Sequence, residues 1–280
     1  DLLRGHRSAG LSCRFAEIRP LSAASRKGLL LAALLMVGWV VSVAGLLGWD
    51  LTATPSARPV FWLTLLLAIV GRTLLQTGLF IVGHDAMHGV LWRERPVAND
   101  LLGSLALGMY AALPYQDCSC NHQHHHQFTA SAADPDFHWD PGSGPMVWYA
   151  RFMTGYLTWG QMGRLLATWT ILALIACHWA PTGWLNVLLF CTVPLLVSSL
   201  QLFVFGTYLP HRGQRLPLLR PHADSLELPP WLSLMTCFHF GYHREHHEAP
   251  QLAWFELPAQ RARSRGRLGP RLASLPMERI

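Results

Sequence analysis

Four apolar runs, the third of them of marginal length for crossing a bilayer, limit what this chain can fold into. Residues 28–49 are uninterrupted by charge, and residues 60–83, 165–180 and 184–209 supply three further candidates. As a helix, the first run is about 33 Å long, enough to cross a hydrocarbon core of ~30 Å. Residues 101–113 are also apolar but too short to cross, so they read as a re-entrant or interfacial segment. Residues 148–163 are aromatic and amphipathic, as expected of a stretch lying at the interface. Composition agrees: 51% of the residues are hydrophobic and only 14% are charged, against about a quarter in a soluble domain. Backbone inside lipid must satisfy its own hydrogen bonds. The expected fold is therefore an all-α integral membrane protein, with about four transmembrane helices, the short re-entrant segment and a histidine-rich cap.

Charge places the ends. The net charge is +6, and its arginines cluster at the two termini and beside the apolar runs. That pattern fits membrane flanks and argues against a nucleic-acid partner. Residues 1–27 read as a basic cytosolic segment, 28–258 as the membrane domain and 259–280 as a basic tail. The tail is expected to act only on topology or at the surface. No signal-peptide pattern precedes the first run, which reads as a retained anchor. Arg72 and Gln76 interrupt the second run, and an arginine there must face protein or snorkel. The six cysteines show no paired framework, consistent with reduced thiols.

Histidines stand at the ends of these runs. HDAMH at 84–88 is an HxxxH box, and HQHHH at 122–126 and HREHH at 243–247 each contain HxxHH. On a helix, i, i+3 and i+4 share one face, so each box can approach a metal from one side. Clustering so many imidazoles has little packing value, and neutral imidazole is a common ligand for iron and zinc. His84, His88, His122, His125, His126, His243, His246 and His247 form the core set, enough for two metals. His211, at the end of the fourth run, makes a ninth. His124 points to another helix face, and His239 lies four residues before His243; either could be a ligand or an outer partner. Asp85, Asp136, Glu245 and Glu248 are candidates to accept hydrogen bonds from ligand ring N–H groups. If the N-terminal arginines are cytosolic, two spans return the chain at His84 and two more at His211. All three boxes and both termini then share the cytosolic side.

The three boxes resemble those of the membrane-bound histidine-box enzymes, which include acyl desaturases, alkane hydroxylases and carotenoid oxygenases. The wording between them is more specific. HDAMHG at 84–89, DPDFH at 134–138, WYARF at 148–152, QLFVFGTYLPHR at 201–212, CFHFGYH at 237–243 and WFELP at 254–258 resemble the bacterial and cyanobacterial β-carotene ketolases. The likeness runs from about residue 60 to 258. DCSCN at 117–121 departs from it, being less basic than that family's usual residues. The resemblance implies two iron ions, dioxygen as co-substrate and an external electron donor such as a ferredoxin. It also implies oxidation of a β-ionone ring at C4 to a ketone. β-Carotene would give echinenone and canthaxanthin, and zeaxanthin would give astaxanthin. A carotenoid from the bilayer would meet the irons at the membrane face, with Phe203, Phe205, Tyr208, Phe238, Phe240 and Tyr242 as candidate pocket residues. The boxes alone do not separate this from a carotenoid hydroxylase or an acyl desaturase. A metal transporter would instead carry ligands near the bilayer midplane, where this chain has almost none.

Overall fold

The computed structural model describes residues 20–53, 58–138, 144–212 and 223–272. Most of the N-terminal basic segment, the 213–222 connection and the last eight residues of the tail lie outside that range.

Four helices are long and apolar enough to cross a membrane: α1 (Ala23–Leu47), α2 (Pro59–Met87), α6 (Trp159–Trp179) and α7 (Gly183–His211). Between α2 and α6 come α3 (Pro96–Ala111), α4 (Tyr115–Phe128) and α5 (Pro145–Tyr156). After α7 follow α8 (Pro230–Cys237), α9 (His243–Glu248) and α10 (Leu257–Leu272). No strand occurs among the described residues. The spans expose apolar side chains along whole faces. On α1 these are Leu30, Leu34, Val37 and Val41, at helical spacing, as lipid-facing surface requires.

α3 has 16 residues and is about 24 Å long, too short to cross. It stops at Ala112, whose backbone is left-handed. Its last carbonyls have no helical partner, and side chains from two spans supply them. Gln76 donates to Tyr110 O, Gln161 donates to Ala111 O at 2.6 Å and Arg164 donates to Ala112 O at 3.1 Å. The residues expected to form one interfacial stretch at 148–163 are divided. α5 ends at Tyr156, and Thr158 then caps α6 by accepting from Gln161 N at 3.2 Å.

Arg72 faces protein. Its guanidinium donates to Phe190 O at 2.9 Å, Trp39 O at 3.2 Å and Ser42 Oγ at 3.0 Å, and it lies over the Trp39 ring. The Phe190 carbonyl is available because Pro194, four residues on, has no N–H and its ring crowds that carbonyl. α7 answers with a π-turn at Leu188–Thr192, just before Pro194. A second π-turn, Phe203–Tyr208, precedes Pro210.

The two ends of the bundle differ. At one end Asn186 donates to Leu47 O at 3.0 Å and Trp49 O at 2.7 Å, joining the turns around residues 50 and 182. At the other end Ser22 N donates to Glu94 at 2.9 Å and Lys27 lies over Phe255. The histidine boxes gather at this second end.

Candidate metal centre and the cleft behind it

α2 closes on a glycine turn. His88 is the C-cap, Gly89 takes φ +66°, and Val90 N donates back to Asp85 O at 3.1 Å. That left-handed position suits glycine, and the turn fixes His84 and His88 at the helix end. On α4, Tyr115, Cys118, His122 and His125 are the buried face, at the spacing that brings one helix side inward. His124 is exposed on the other side. α9 supplies His243, His246 and His247, and α7 ends on His211.

These elements bring eight imidazoles into two quartets. His84, His88, His122 and His246 form one; His125, His211, His243 and His247 form the other. Within each, the ligand atoms lie within 4.8 Å of one another. The closest approaches join Nε2 atoms: His88 to His122 at 2.7 Å, His125 to His247 at 3.1 Å and His243 to His247 at 3.1 Å. His126 belongs to neither quartet but lies between them. Its Nε2 is 2.9 Å from His246 Nε2, and its ring stacks on His247 at 4.2 Å. His239 stands apart, stacked on Tyr242 and Trp254.

The donor set fits a pair of metal ions. His84 Nε2 is buried with no hydrogen-bond partner, as expected of a lone pair meant for a ligand bond. Burial pushes His88 down to about 4, helped by the neighbouring charge of His125. Burial, then His88 and His125, pushes His126 to about 2. His122, His243, His246 and His247 are likewise held well below the ordinary value, mainly by burial and then by the charges of neighbouring histidines of the cluster. Without metal these imidazoles are neutral near pH 7, with lone pairs available. His125 is the exception. Burial alone would lower it, but the hydrogen bond and charge of Asp134, with Asp136 beyond, raise it.

The outer partners differ from those the sequence suggested. Asp134, not Asp136, takes the ring N–H: both its oxygens lie against His125 Nδ1, at 2.9 and 3.0 Å. Ala130 N and Asp136 N donate to the same carboxylate at 2.8 and 2.9 Å, so the loop after α4 holds it in place. Thr129 Oγ1 donates to His125 O at 2.8 Å and lies 3.3 Å from His247 Nδ1, whose N–H can donate to it. Both contacts leave Nε2 free to bind metal. Asp136 instead accepts from Tyr156 Oη at 3.2 Å, and burial pushes it up to about 6. Glu245 faces Arg261 at 3.2 Å and Ser225, away from the imidazoles. Glu248 is exposed at the end of α9. Asp85 lies 3.8 Å from His84 Nδ1, too far for a hydrogen bond, and accepts from Trp254 N at 3.3 Å.

Behind the quartets is an apolar cleft of about 230 Å³ lined by Tyr110, Met162, Leu165, Trp169 and Leu195, among others. It reaches the exposed apolar surface at Leu157 and Leu196. A small chamber of about 30 Å³ adjoins it, walled by His84, His122, His125 and His243. Phe80, Phe152, Tyr156 and Leu202 line both spaces. Of the six aromatics expected around a pocket, Phe240 alone lines the chamber. It packs where Gly206 leaves room, since a β-carbon at 206 would sit 2.2 Å from its ring. Phe203 packs with Trp148, Tyr149 and Tyr208, and Phe238 against Trp254, so they support the walls from outside. Phe205 packs on the apolar core, and Tyr242 hydrogen-bonds to Leu228 O at 2.8 Å. Phe80, Phe152 and Tyr156 were not legible as lining because their helices meet only in the tertiary fold.

Fold and site together define a helical membrane protein with a paired histidine centre at one end of its spans and an apolar cleft leading to it. The profile of the fatty acid desaturase family matches residues 59–277, and the chain belongs to that family. Within it, the chain is 42% identical over 196 residues to a β-carotene ketolase of Paracoccus sp. (strain N81106 / MBIC 01143), covering 69% of this chain and 78% of that protein. It is 40% identical over 233 residues to the β-carotene ketolase of Paracoccus sp. (strain PC1), covering 82% and 90%. A β-carotene 4-ketolase of Protosiphon botryoides is 38% identical over 212 residues, covering 71% of this chain and 52% of that protein.

Proposed function

We propose that this chain is a carotenoid ketolase, an O2-dependent oxidoreductase that converts the C4 methylene of a β-ionone ring to a ketone. The observation that carries this reading is its likeness to named ketolases over most of its length. The site supports it. A hydrocarbon dissolved in the bilayer meets an apolar opening at Leu157 and Leu196, and the cleft leads past Phe80 and Phe152 to the histidine chamber. Apolar walls let the ring pass from lipid without a desolvation cost and exclude water from the reacting carbon.

His84, His88, His122 and His246 would hold one iron ion, and His125, His211, His243 and His247 the other, with His126 between them. The two ions would supply dioxygen activation, with electrons from a separate donor protein such as a ferredoxin. Asp134 and Thr129 fix the imidazoles of His125 and His247 in the tautomer that presents Nε2. Oxygenation at C4 gives an alcohol, and a second at the same carbon gives a geminal diol that loses water. β-Carotene passes through echinenone to canthaxanthin, and zeaxanthin to astaxanthin. The basic termini and the boxes face the cytosol, and the turns near residues 50 and 182 face outward, in line with the positive-inside rule.

The test is pigment analysis in a bacterial host that already makes β-carotene. Each oxidised ring should gain one oxygen and lose two hydrogens, with a red-shifted spectrum. Oxygen gained without hydrogen loss would make the chain a hydroxylase. Unchanged carotene alongside iron-loaded protein would return the acyl desaturase reading. His246→Ala should abolish oxygenation while the protein still inserts; a ketone from that variant would refute its role as a ligand.

A further inference from the structure

Asp136 has a place in the chamber that metal ligation leaves unused. It is 8% exposed and lines the chamber beside His122 and His125. Its backbone is fixed from two sides: Asp136 N donates to Asp134 at 2.9 Å, and Asp136 O accepts from Trp148 Nε1 at 2.9 Å. Its carboxylate accepts from Tyr156 Oη at 3.2 Å. Tyr156 lines both cleft and chamber. A carboxylate and a phenol thus meet where the ring would pass to reach the imidazoles. Burying such groups in an apolar passage is costly unless they are partnered, so their position calls for a reason.

The reaction supplies one. A ketone requires two oxygenations at the same carbon. In each, C–H becomes C–OH, the second oxygen atom of O2 leaves as water, and the donor protein supplies two electrons while solvent supplies two protons. The diol then loses water with no change of oxidation state. Between the two oxygenations the ring carries a C4 alcohol. If that alcohol leaves, the product is a hydroxycarotenoid.

We propose that Asp136 and Tyr156 hold the C4 hydroxyl formed in the first oxygenation, keeping the ring in place with its remaining C4–H toward the histidine centre. This rests on the ketolase reading. Asp136 accepts the alcohol O–H, and Tyr156, whose own O–H is donated to Asp136, holds that carboxylate in place for it. The pair therefore sets the partition between alcohol and ketone rather than the first oxidation.

The experiment measures C4 alcohol against C4 ketone by chromatography and mass in a β-carotene-producing host, for wild type, Tyr156→Phe and Asp136→Ala. Wild type should give ketone. Loss of the hydrogen bond that orients Asp136 should raise the alcohol-to-ketone ratio about five- to tenfold in Tyr156→Phe, and loss of the carboxylate itself should raise it further. Purified Asp136→Ala given 4-hydroxy-β-carotene should oxidise it more slowly than wild type. If wild type gives ketone but both variants keep its product ratio while total oxidation falls, the pair is only structural support and the inference is overturned. Equal rates on the alcohol would overturn it as well. A wild type that makes no ketone would remove the ketolase reading, and this inference with it.

Discussion

Asp134 shows how little of an outer coordination sphere can be read from spacing. The histidines follow helical periods, so their shared faces are visible in the sequence. Asp134 follows none: it lies nine residues after His125, beyond a helix end and a left-handed Ala130. Asp136, two residues on, is the residue the sequence suggests for that role, and it faces the chamber instead. Asp134→Asn should lower iron affinity or activity by about 10- to 100-fold, read as metal content after dialysis against a chelator. Iron retention equal to wild type would show that His125 needs no such partner. The titration of the centre gives a second expectation. The folded pKa of His88 is depressed from 6.5 to about 4, so below pH 6.5 the unfolded chain binds the proton first. Metal-stripped protein in detergent should therefore lose thermal stability as pH falls from about 6.5 toward 4, with His126 extending the loss lower. A flat melting temperature across that window would contradict neutral buried imidazoles.

At the level of elements, α10 is more than a charged tail. Arg261 is buried, pairs with Glu245 at 3.2 Å, donates to Leu226 O at 3.0 Å and lies over the Tyr242 ring. It thus anchors α9, a six-residue helix that contributes to both quartets and is too short to hold its shape alone. The surface-only role expected for residues beyond 258 does not describe Arg261, because a charge run gives no sign of which member is buried. Removing one partner of a buried ion pair costs roughly 3 kcal/mol or more. Arg261→Ala should lower the unfolding temperature and release iron from both quartets, whereas Arg263→Ala should do neither. An unchanged iron content in Arg261→Ala would show that α9 is held by other contacts. Pro194 of α7 and Arg72 of α2 act as a unit. Arg72→Met would leave the Phe190 carbonyl without its donor, at a cost of about 1–3 kcal/mol, measurable as a lower melting temperature in detergent.

The whole bundle sorts its ends. The box end collects the start of α1, the end of α2, α4, the end of α7 and α9, while the opposite end joins the turns near residues 50 and 182. With the boxes in the cytosol, a cysteine placed at Thr52 should react with a membrane-impermeant thiol reagent in intact cells, and one placed at His124 should not. The reverse pattern would invert the proposed topology. The same arrangement suits a substrate that arrives from lipid: the cleft lies between spans and meets the surface at exposed Leu157 and Leu196.

The spans, the boxes and their common end were legible in the sequence because each depends on local regularities, namely apolar length, helical period and arginine placement. The motifs between the boxes also carried the resemblance that the comparisons bear out. The division of the histidines into quartets was not legible, because it depends on how four separate elements cross. Nor was the choice of Asp134 over Asp136, the burial of Arg261, or the cleft walled by Phe80, Phe152 and Tyr156. Those features arise where residues distant in the chain meet. Periodicity says which way a side chain faces, and only packing says what it faces.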